Sequence, residues 1–325
     1  MSACSKEHWK GNELSGKAIC GNLVFNITGN RSAAHIFNKY STGTLKGDLL
    51  ILEPLEVIFL VWKRRIKAEN PVFNDGSLLV KAILQEDEIP LWNAYRELRI
   101  AGYRVKRNGM DLKIREKISS SPVLTVKTIR ENFQFTFADL YSWIENIVAA
   151  VDDDGGVTFY KLSEIDMEGS SSFQEISEKP VPVGKRSVIT DGSIPEWLGD
   201  STTENFTILS ELETRYINGH PPENPVEMIY HDLFKKKTII RTGFKYGCNF
   251  RIYLNELSSH AEALVHVFDR EEGWYAISRA VRVAGGVKKK MIFAGIIESQ
   301  IKYVEIKRMK SFVNDDENKE DESDL

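Results

Sequence analysis

Residues 250–268, "FRIYLNELSSHAEALVHVF", carry Tyr253 and His260, and "VKKKM" downstream carries Lys288, Lys289 and Lys290. These types can move protons and hold negative charge. Histidine suits a general acid because its reference pKa, about 6.5, lies near working pH. Lysine supplies a compact positive charge. Tyrosine, with a reference pKa of about 10, is an awkward base unless a nearby cation favours the phenolate. Together they match what is needed to break a phosphodiester with a neighbouring 2′-hydroxyl as nucleophile. One group accepts the hydroxyl proton, an acid protonates the leaving 5′-oxygen, and a cation holds the charge that builds on the phosphorane. DNA lacks that hydroxyl, so such a set would act on RNA.

Each residue also has an ordinary reading. A tyrosine at a strand end packs, a histidine in a loop is solvated, and a lysine run is a wet face. Tyr246 competes for the tyrosine role, but its "GFKYG" context reads as a turn before the strand. His266 lies inside an apolar strand and reads as structural.

Other chemistries find less support. No strand leads into a Gly-rich turn with Lys and Ser/Thr, as a nucleotide loop would require. The six histidines show no metal-ligand pairing, and the second half offers no convergent carboxylates for catalytic ions. The expectation is no metal and no cofactor.

The elements that must position these residues read as an α+β pattern. "VLTVKTIR", "EALVHVFD" and "KMIFAGII" read as strands. "LLILEPLEVIFLVWKRRI" reads as a helix, with Leu55, Ile58, Phe59 and Trp62 at helical spacing, and "SLLVKAILQ" as a possible second. Ser278 to Val287 reads as a helix with Ser278 at the N-cap. Arg279 and Arg282, three apart, share a face of it.

The stretch from Arg241 to Ala294 resembles the catalytic domain of the archaeal-type tRNA-splicing endonucleases. The likeness lies in "RTGFKYGCNFRIYLNELSSHAEALVHVF" followed by "ISRAVRVAGGVKKKMIFA". It implies that Tyr253, His260 and Lys289 are the catalytic residues. It also implies that an arginine, best matched by Arg282, stacks on a base flipped out of a bulge, with Arg279, Lys288 and Lys290 as further RNA contacts. Gly285 and Gly286 stand where the family usually has His-Ser, and Lys288 where it has arginine. Enzymes of this kind cut precursor tRNA at a bulge-helix-bulge without a metal, leaving a 2′,3′-cyclic phosphate and a 5′-hydroxyl.

The two halves of the chain share an order of pattern. "AYRELRIAGYRVKRNG" and "IYHDLFKKKTIIRTGF" each read as helix, turn and basic strand. Later in each half a helix leads into two strands. Aligned on the second half, the first places Arg115 near the tyrosine, "ISSSPV" at the histidine, and Ile144 or Glu145 near the lysine. None of the three groups is present. This predicts two tandem repeats, each with a small N-terminal α/β part and a mixed-sheet nuclease-like part. The expected division is a non-catalytic structural repeat over 1–165, a linker over 166–193 with one short strand, and a catalytic repeat over 194–313. An acidic disordered tail over 314–325 completes it. The resemblance further implies a homodimer in which an acidic loop of the structural copy, Asp152, Asp153 and Asp154, enters a basic groove of the partner chain. "FKKKTIIRTGFK" offers basic residues for it.

The bounds fit this reading. The chain has 325 residues, 42% hydrophobic and 28% charged, as in ordinary globular proteins. Three cysteines, Cys4, Cys20 and Cys248, are too few and too scattered for a disulfide framework, and no signal segment or membrane-spanning run is evident. A cytoplasmic protein with no membrane partner is expected. The tail holds seven acids and one lysine, and removing its −6 from the net −4 leaves a body near +2. Two alternatives remain at this stage. One is a non-catalytic RNA-binding or assembly subunit of the same fold. The other is a metal-dependent DNA nuclease.

Overall fold

The computed structural model describes residues 9–10, 14–19, 22–28, 30–47, 49–66, 81, 84–115, 123–171, 179–190, 197–199, 206–255, 257 and 260–309. The tail over 314–325 and six of the nine residues of "SLLVKAILQ" lie outside them. The chain forms two compact units. The first draws its described residues from 1–130 and 147–158, and the second from 131–146 and 159–310.

Along the chain, the first unit opens with β1 (Trp9–Lys10), β2 (Leu14–Ile19), β3 (Asn22–Thr28), α1 (Asn30–Tyr40), β4 (Thr44–Lys46), β5 (Leu49–Leu52) and α2 (Pro54–Trp62). Its five strands run in the order β1-β2-β3-β5-β4. The apolar run read as one helix therefore divides at Glu53-Pro54. A residue before proline is pushed to extended backbone, and proline suits the first helical position. Glu53 accordingly sits at φ −84°, ψ 161°. The buried Glu56 carboxylate then closes the turn, accepting the N–H of Glu53 at 2.9 Å and of Gly43 at 2.7 Å.

Next come α3 (Ile89–Ile100), β6 (Arg104–Asn108), β7 (Asp111–Arg115) and β8 (Leu124–Arg130). The short β9 (Gln134–Phe135) and α4 (Phe137–Ser142) belong to the second unit, and β10 (Ile147–Val151) again to the first. β6, β7 and β8 are antiparallel, β10 pairs parallel with β8, and α3 packs on this layer. Val105, Leu112, Ile114 and Val126 are buried within it.

The chain continues with β11 (Val157–Glu164), β12 (Val181–Val183), β13 (Arg186–Ile189), β14 (Thr207–Leu209), α5 (Glu211–Ile217), α6 (Pro225–Lys235), β15 (Ile239–Thr242) and β16 (Phe250–Tyr253). It ends with β17 (Ala263–Val267), β18 (Glu272–Gly273), α7 (Trp274–Gly286), β19 (Lys290–Ile297) and β20 (Gln300–Arg308). The main sheet of the second unit runs β15-β16-β17-β19-β20-β11, antiparallel except for the parallel pair β17–β19. Helix α6 covers β15, β17 and β19, burying Ile229 and Leu233 against Ile252, Val265 and Ile292. The fold is α+β.

Local sequence sets the helix starts. Ser210 and Glu213 form a reciprocal capping box at α5, as do Thr136 and Asp139 at α4, and Asn224 caps α6 with Pro225 at its first position. Helix α7 differs from the sequence expectation. It starts at Trp274 with Gly273 at the N-cap, and Ser278 lies inside it, its hydroxyl accepting a hydrogen bond from Tyr160 at 2.8 Å. Trp274 is fully buried among Phe135, Trp143 and Tyr160. Tertiary burial, rather than a cap side chain, fixes this start. The segment read as a linker holds the hairpin β12–β13, which joins β14 in a three-stranded sheet. Among the described residues, no helix is long and apolar enough to cross a membrane.

Candidate active site

Tyr253 is the last residue of β16 and lies opposite Ile239 across the ladder. Only 6% of it is exposed, and it packs with Ile239 and Ala261 beside the half-buried Trp197. The loop beyond it closes on itself. The Leu254 N–H donates to the Glu262 carboxylate at 3.2 Å, and the Glu262 N–H to the Ile252 carbonyl at 3.0 Å. His260 sits in this loop, exposed, immediately before Ala261.

Lys289 arrives from the other side of the sheet order. Helix α7 ends at Gly286, and Lys288 takes a left-handed conformation at φ 53°. The Lys289 N–H caps the helix by donating to the Ala284 carbonyl at 2.9 Å, and Lys290 then starts β19 opposite Ala263. This turn aims the half-buried Lys289 side chain at the tyrosine loop, where Nζ donates to the Ala261 carbonyl at 2.7 Å. An ammonium has three donors. One is taken by Ala261, which fixes the charge and leaves the others for an anion.

Ala261 is thus a neighbour of all three candidate residues. Tyr253 packs on it, His260 precedes it in the chain, and Lys289 binds its carbonyl. Residues of these three types carry a hydroxyl, an imidazole and an ammonium, groups that can accept a proton, donate one and stabilise an oxyanion.

The remaining candidates divide. Arg279 and Arg282 are exposed on α7, opposite a face that buries Trp274, Ile277, Val281 and Ala284, and the Arg279 guanidinium lies 5.6 Å from the Tyr275 ring centre. Lys288 and Lys290 are exposed on either side of Lys289. His266 is structural, in keeping with its strand context: Nε2 lies 2.6 Å from Glu272 Oε1, and the ring meets Phe268 and Phe293 edge-on. Tyr246 lies in a short turn before β16. Among the described residues, no three His, Cys, Asp or Glu side chains converge as they would around a metal ion.

Three contributors carried no local signal. Trp197 comes from the weakly patterned start of the expected catalytic repeat. A strap over 169–171 ties the tyrosine loop to the end of α6: Gly169 and Ser171 donate backbone N–H groups to the carbonyls of Lys236 and Lys237 at 2.8 and 3.2 Å, and Ser170 to that of Leu254 at 2.8 Å. A Cβ on Gly169 would stand 2.3 Å from the Lys237 oxygen, so only glycine allows this approach. The third is a cleft of about 850 Å³ whose walls include Arg186, Arg241, Lys245 and Arg251. Arg241 is partly engaged there, bonding the Gly199 carbonyl at 2.6 Å and lying 3.8 Å from Glu213. Lys236, from the same basic stretch, instead pairs with Asp166 at 2.6 Å.

The acidic loop of the first unit is a tight turn between β10 and β11. The Asp152 N–H donates to the Gly156 carbonyl, the Asp152 carboxylate accepts the Gly156 N–H at 2.7 Å, and Gly155 supplies a positive φ of 79°. Asp153 and Asp154 are exposed and take no part in these turn bonds.

Residues 226–303 match the family described as the tRNA intron endonuclease catalytic C-terminal domain. Over most of its length the chain is similar to curated relatives named tRNA-splicing endonuclease. It is 34% identical to that of Thermoplasma volcanium, covering 91% of this chain and 98% of the relative. It is 32% identical to that of Picrophilus torridus, covering 88% and 94%. The relative from Methanococcoides burtonii is 24% identical, covering 84% and 94%.

Proposed function

The chain belongs to the tRNA-splicing endonuclease family and is an enzyme of tRNA intron excision, and we propose that it cuts precursor tRNA at bulge-helix-bulge sites by metal-independent transesterification. The placement of Tyr253, His260 and Lys289 as neighbours of Ala261 carries this reading. The 2′-oxygen of the nucleotide before the cut attacks its own 3′-phosphate while Tyr253, acting as the phenolate, takes the hydroxyl proton and becomes the neutral phenol. Lys289 Nζ holds the charge on the non-bridging oxygens. As the P–O5′ bond breaks, His260 gives its proton to the leaving oxygen. The products are a 2′,3′-cyclic phosphate and a 5′-hydroxyl. Every proton and charge in this sequence is handled by a side chain, so no step calls for an ion.

Arg282, exposed one helical face away from the α7 core, suits stacking on an unpaired base, because a guanidinium offers charge and a plane together. Arg279, Lys288 and Lys290 add positive charge beside it. The same element order supports the tandem-repeat reading: helix, three antiparallel strands and a strand parallel to the third occur as α3-β6-β7-β8-β10 and as α6-β15-β16-β17-β19. A homodimer is supported by Asp153 and Asp154, which the turn does not use. The cleft walled by Arg186, Lys245 and Arg251 offers cations to receive the partner's acidic loop.

A precursor tRNA with a single 2′-deoxynucleotide before the cut site tests the reaction. It should bind like the unmodified RNA and resist cleavage at that site. Cleavage there at the normal rate would refute attack by the 2′-hydroxyl.

A further inference from the structure

The outward face of the β6–β7 layer in the first unit carries four cations in two opposed pairs. Arg104 stands opposite Arg115, and Lys106 opposite Lys113. All four are exposed and alternate with the buried Val105, Leu112 and Ile114. Directly opposed residues hold their Cβ atoms about 4.5–5.5 Å apart, and a strand advances roughly 6.8 Å over two residues. The charges therefore spring from the corners of a small rectangle. Like charges directly opposite each other destabilise a sheet, whereas opposite charges stabilise it. Here two repelling pairs follow one another.

Within the described residues, the folded chain relieves them only at Lys106, whose charge acts on the Glu53 carboxylate. Among the described residues, no carboxylate forms an ion pair with any of the four; Asp111, the acid on these strands, lies 3.8 Å from Lys127 instead. Lys106 reaches the neutral Gly43 carbonyl at 3.2 Å. Arg107, which follows Lys106 on β6 and points to the other face, is by contrast paired with Glu88 at 2.5 Å. Lysines on an edge strand also discourage edge-to-edge pairing. That explains Arg104 and Lys106 on the edge strand β6, but not Lys113 and Arg115, because β7 is flanked by β6 and β8.

We infer that this face is an RNA-binding surface separate from the catalytic residues, taking the phosphate backbone of the precursor tRNA. The inference rests on the reading that precursor tRNA is the substrate. Phosphates would relieve both repelling pairs at once, and each one neutralised would release condensed counterions. A protein partner fits less well. The neighbouring outward positions Asn108, Asp111, Thr125 and Lys127 are polar or charged, whereas the centre of a protein interface is depleted of charge and rich in aromatic residues.

The test variant is Lys113→Glu with Arg115→Glu. It turns both repelling pairs into attractive ones, so its thermal midpoint should equal or exceed that of the wild type, which removes misfolding as an explanation. Binding to precursor tRNA is measured by fluorescence anisotropy from 50 to 200 mM salt, beside wild-type cleavage and mass by light scattering. The expected results are a dissociation constant raised at least tenfold, an unchanged mass, and a shallower salt dependence. The log–log slope should fall by about 0.7–0.9 for each phosphate that the variant no longer neutralises. Unchanged affinity and slope would overturn the inference, as would unchanged affinity with an altered mass, which would assign the face to contact between copies. Weakened RNA binding by the variant, with a wild type that fails to cut precursor tRNA, would uphold the surface and refute the substrate reading instead.

Discussion

Replacing Tyr253 with Phe separates its packing from its chemistry. The ring is buried against Ile239, Ala261 and Trp197, and Ala261 in turn carries the carbonyl that anchors Lys289. Phenylalanine keeps that ring contact and removes only the hydroxyl, so stability should change by about 1 kcal/mol or less, the scale of one net hydrogen bond. Tyr253→Ala leaves a cavity instead, and loss of a buried aromatic ring costs about 3–5 kcal/mol. The rate should behave otherwise. A positioned acid or base contributes roughly 10²–10⁴-fold, or about 3–5 kcal/mol of barrier. Single-turnover cleavage of an intron-containing precursor tRNA by Tyr253→Phe should therefore fall by at least about 10²-fold, with a thermal midpoint within a few degrees of the wild type. Tyr253→Ala should lose both rate and stability. If Tyr253→Phe cuts at the wild-type rate, the hydroxyl is not the base and the residue serves only to hold the Ala261 loop.

Three further outcomes are expected. His260→Ala should slow cleavage by roughly 10²-fold or more while RNA affinity stays nearly constant; because the side chain is exposed, stability should hardly move, and a normal rate would remove it from the mechanism. Arg282→Ala should weaken cleavage of bulged substrate, and Arg282→Lys should restore it incompletely because lysine lacks the plane; full rescue would reduce its role to charge. Asp153→Asn with Asp154→Asn leaves the Asp152 turn bonds intact, so light scattering should show a shift toward monomer whose difference from the wild type shrinks as salt screens the wild-type ion pairs, together with lost activity, whereas a dimeric and fully active variant would show the loop to be a turn alone.

The candidate residues could be singled out in the chain because they fall in the stretch that resembles the family and sit at element ends with local signals. β16 stops at Tyr253, β17 restarts just after His260, and β19 begins beside Lys289 in an apolar run bounded by glycines and lysines. Periodicity carries such information. It does not carry what depends on distant contacts. "LLIL" before Glu53 reads equally as strand or helix, and its pairing with β3 decides the matter. Ser278 resembles a cap and points to a start of α7 several residues late, whereas burial of Trp274 against Phe135 and Trp143 sets the boundary. Trp197, the strap over 169–171 and the joint placement of Arg186 and Arg251 are products of chain segments meeting across the fold. The opposed cations of β6 and β7 lie in plain sight as basic residues, but their repulsion appears only once the strand register is known.

The central claim is that Tyr253, His260 and Lys289 complete the cut by themselves through the 2′-hydroxyl. It is tested most directly by incubating the protein with an intron-containing precursor tRNA in EDTA and analysing the ends of the fragments. The assignment predicts undiminished cleavage, a 2′,3′-cyclic phosphate on each upstream fragment and a 5′-hydroxyl on each downstream one. Cleavage abolished by EDTA, or fragments bearing 5′-phosphates, would contradict it.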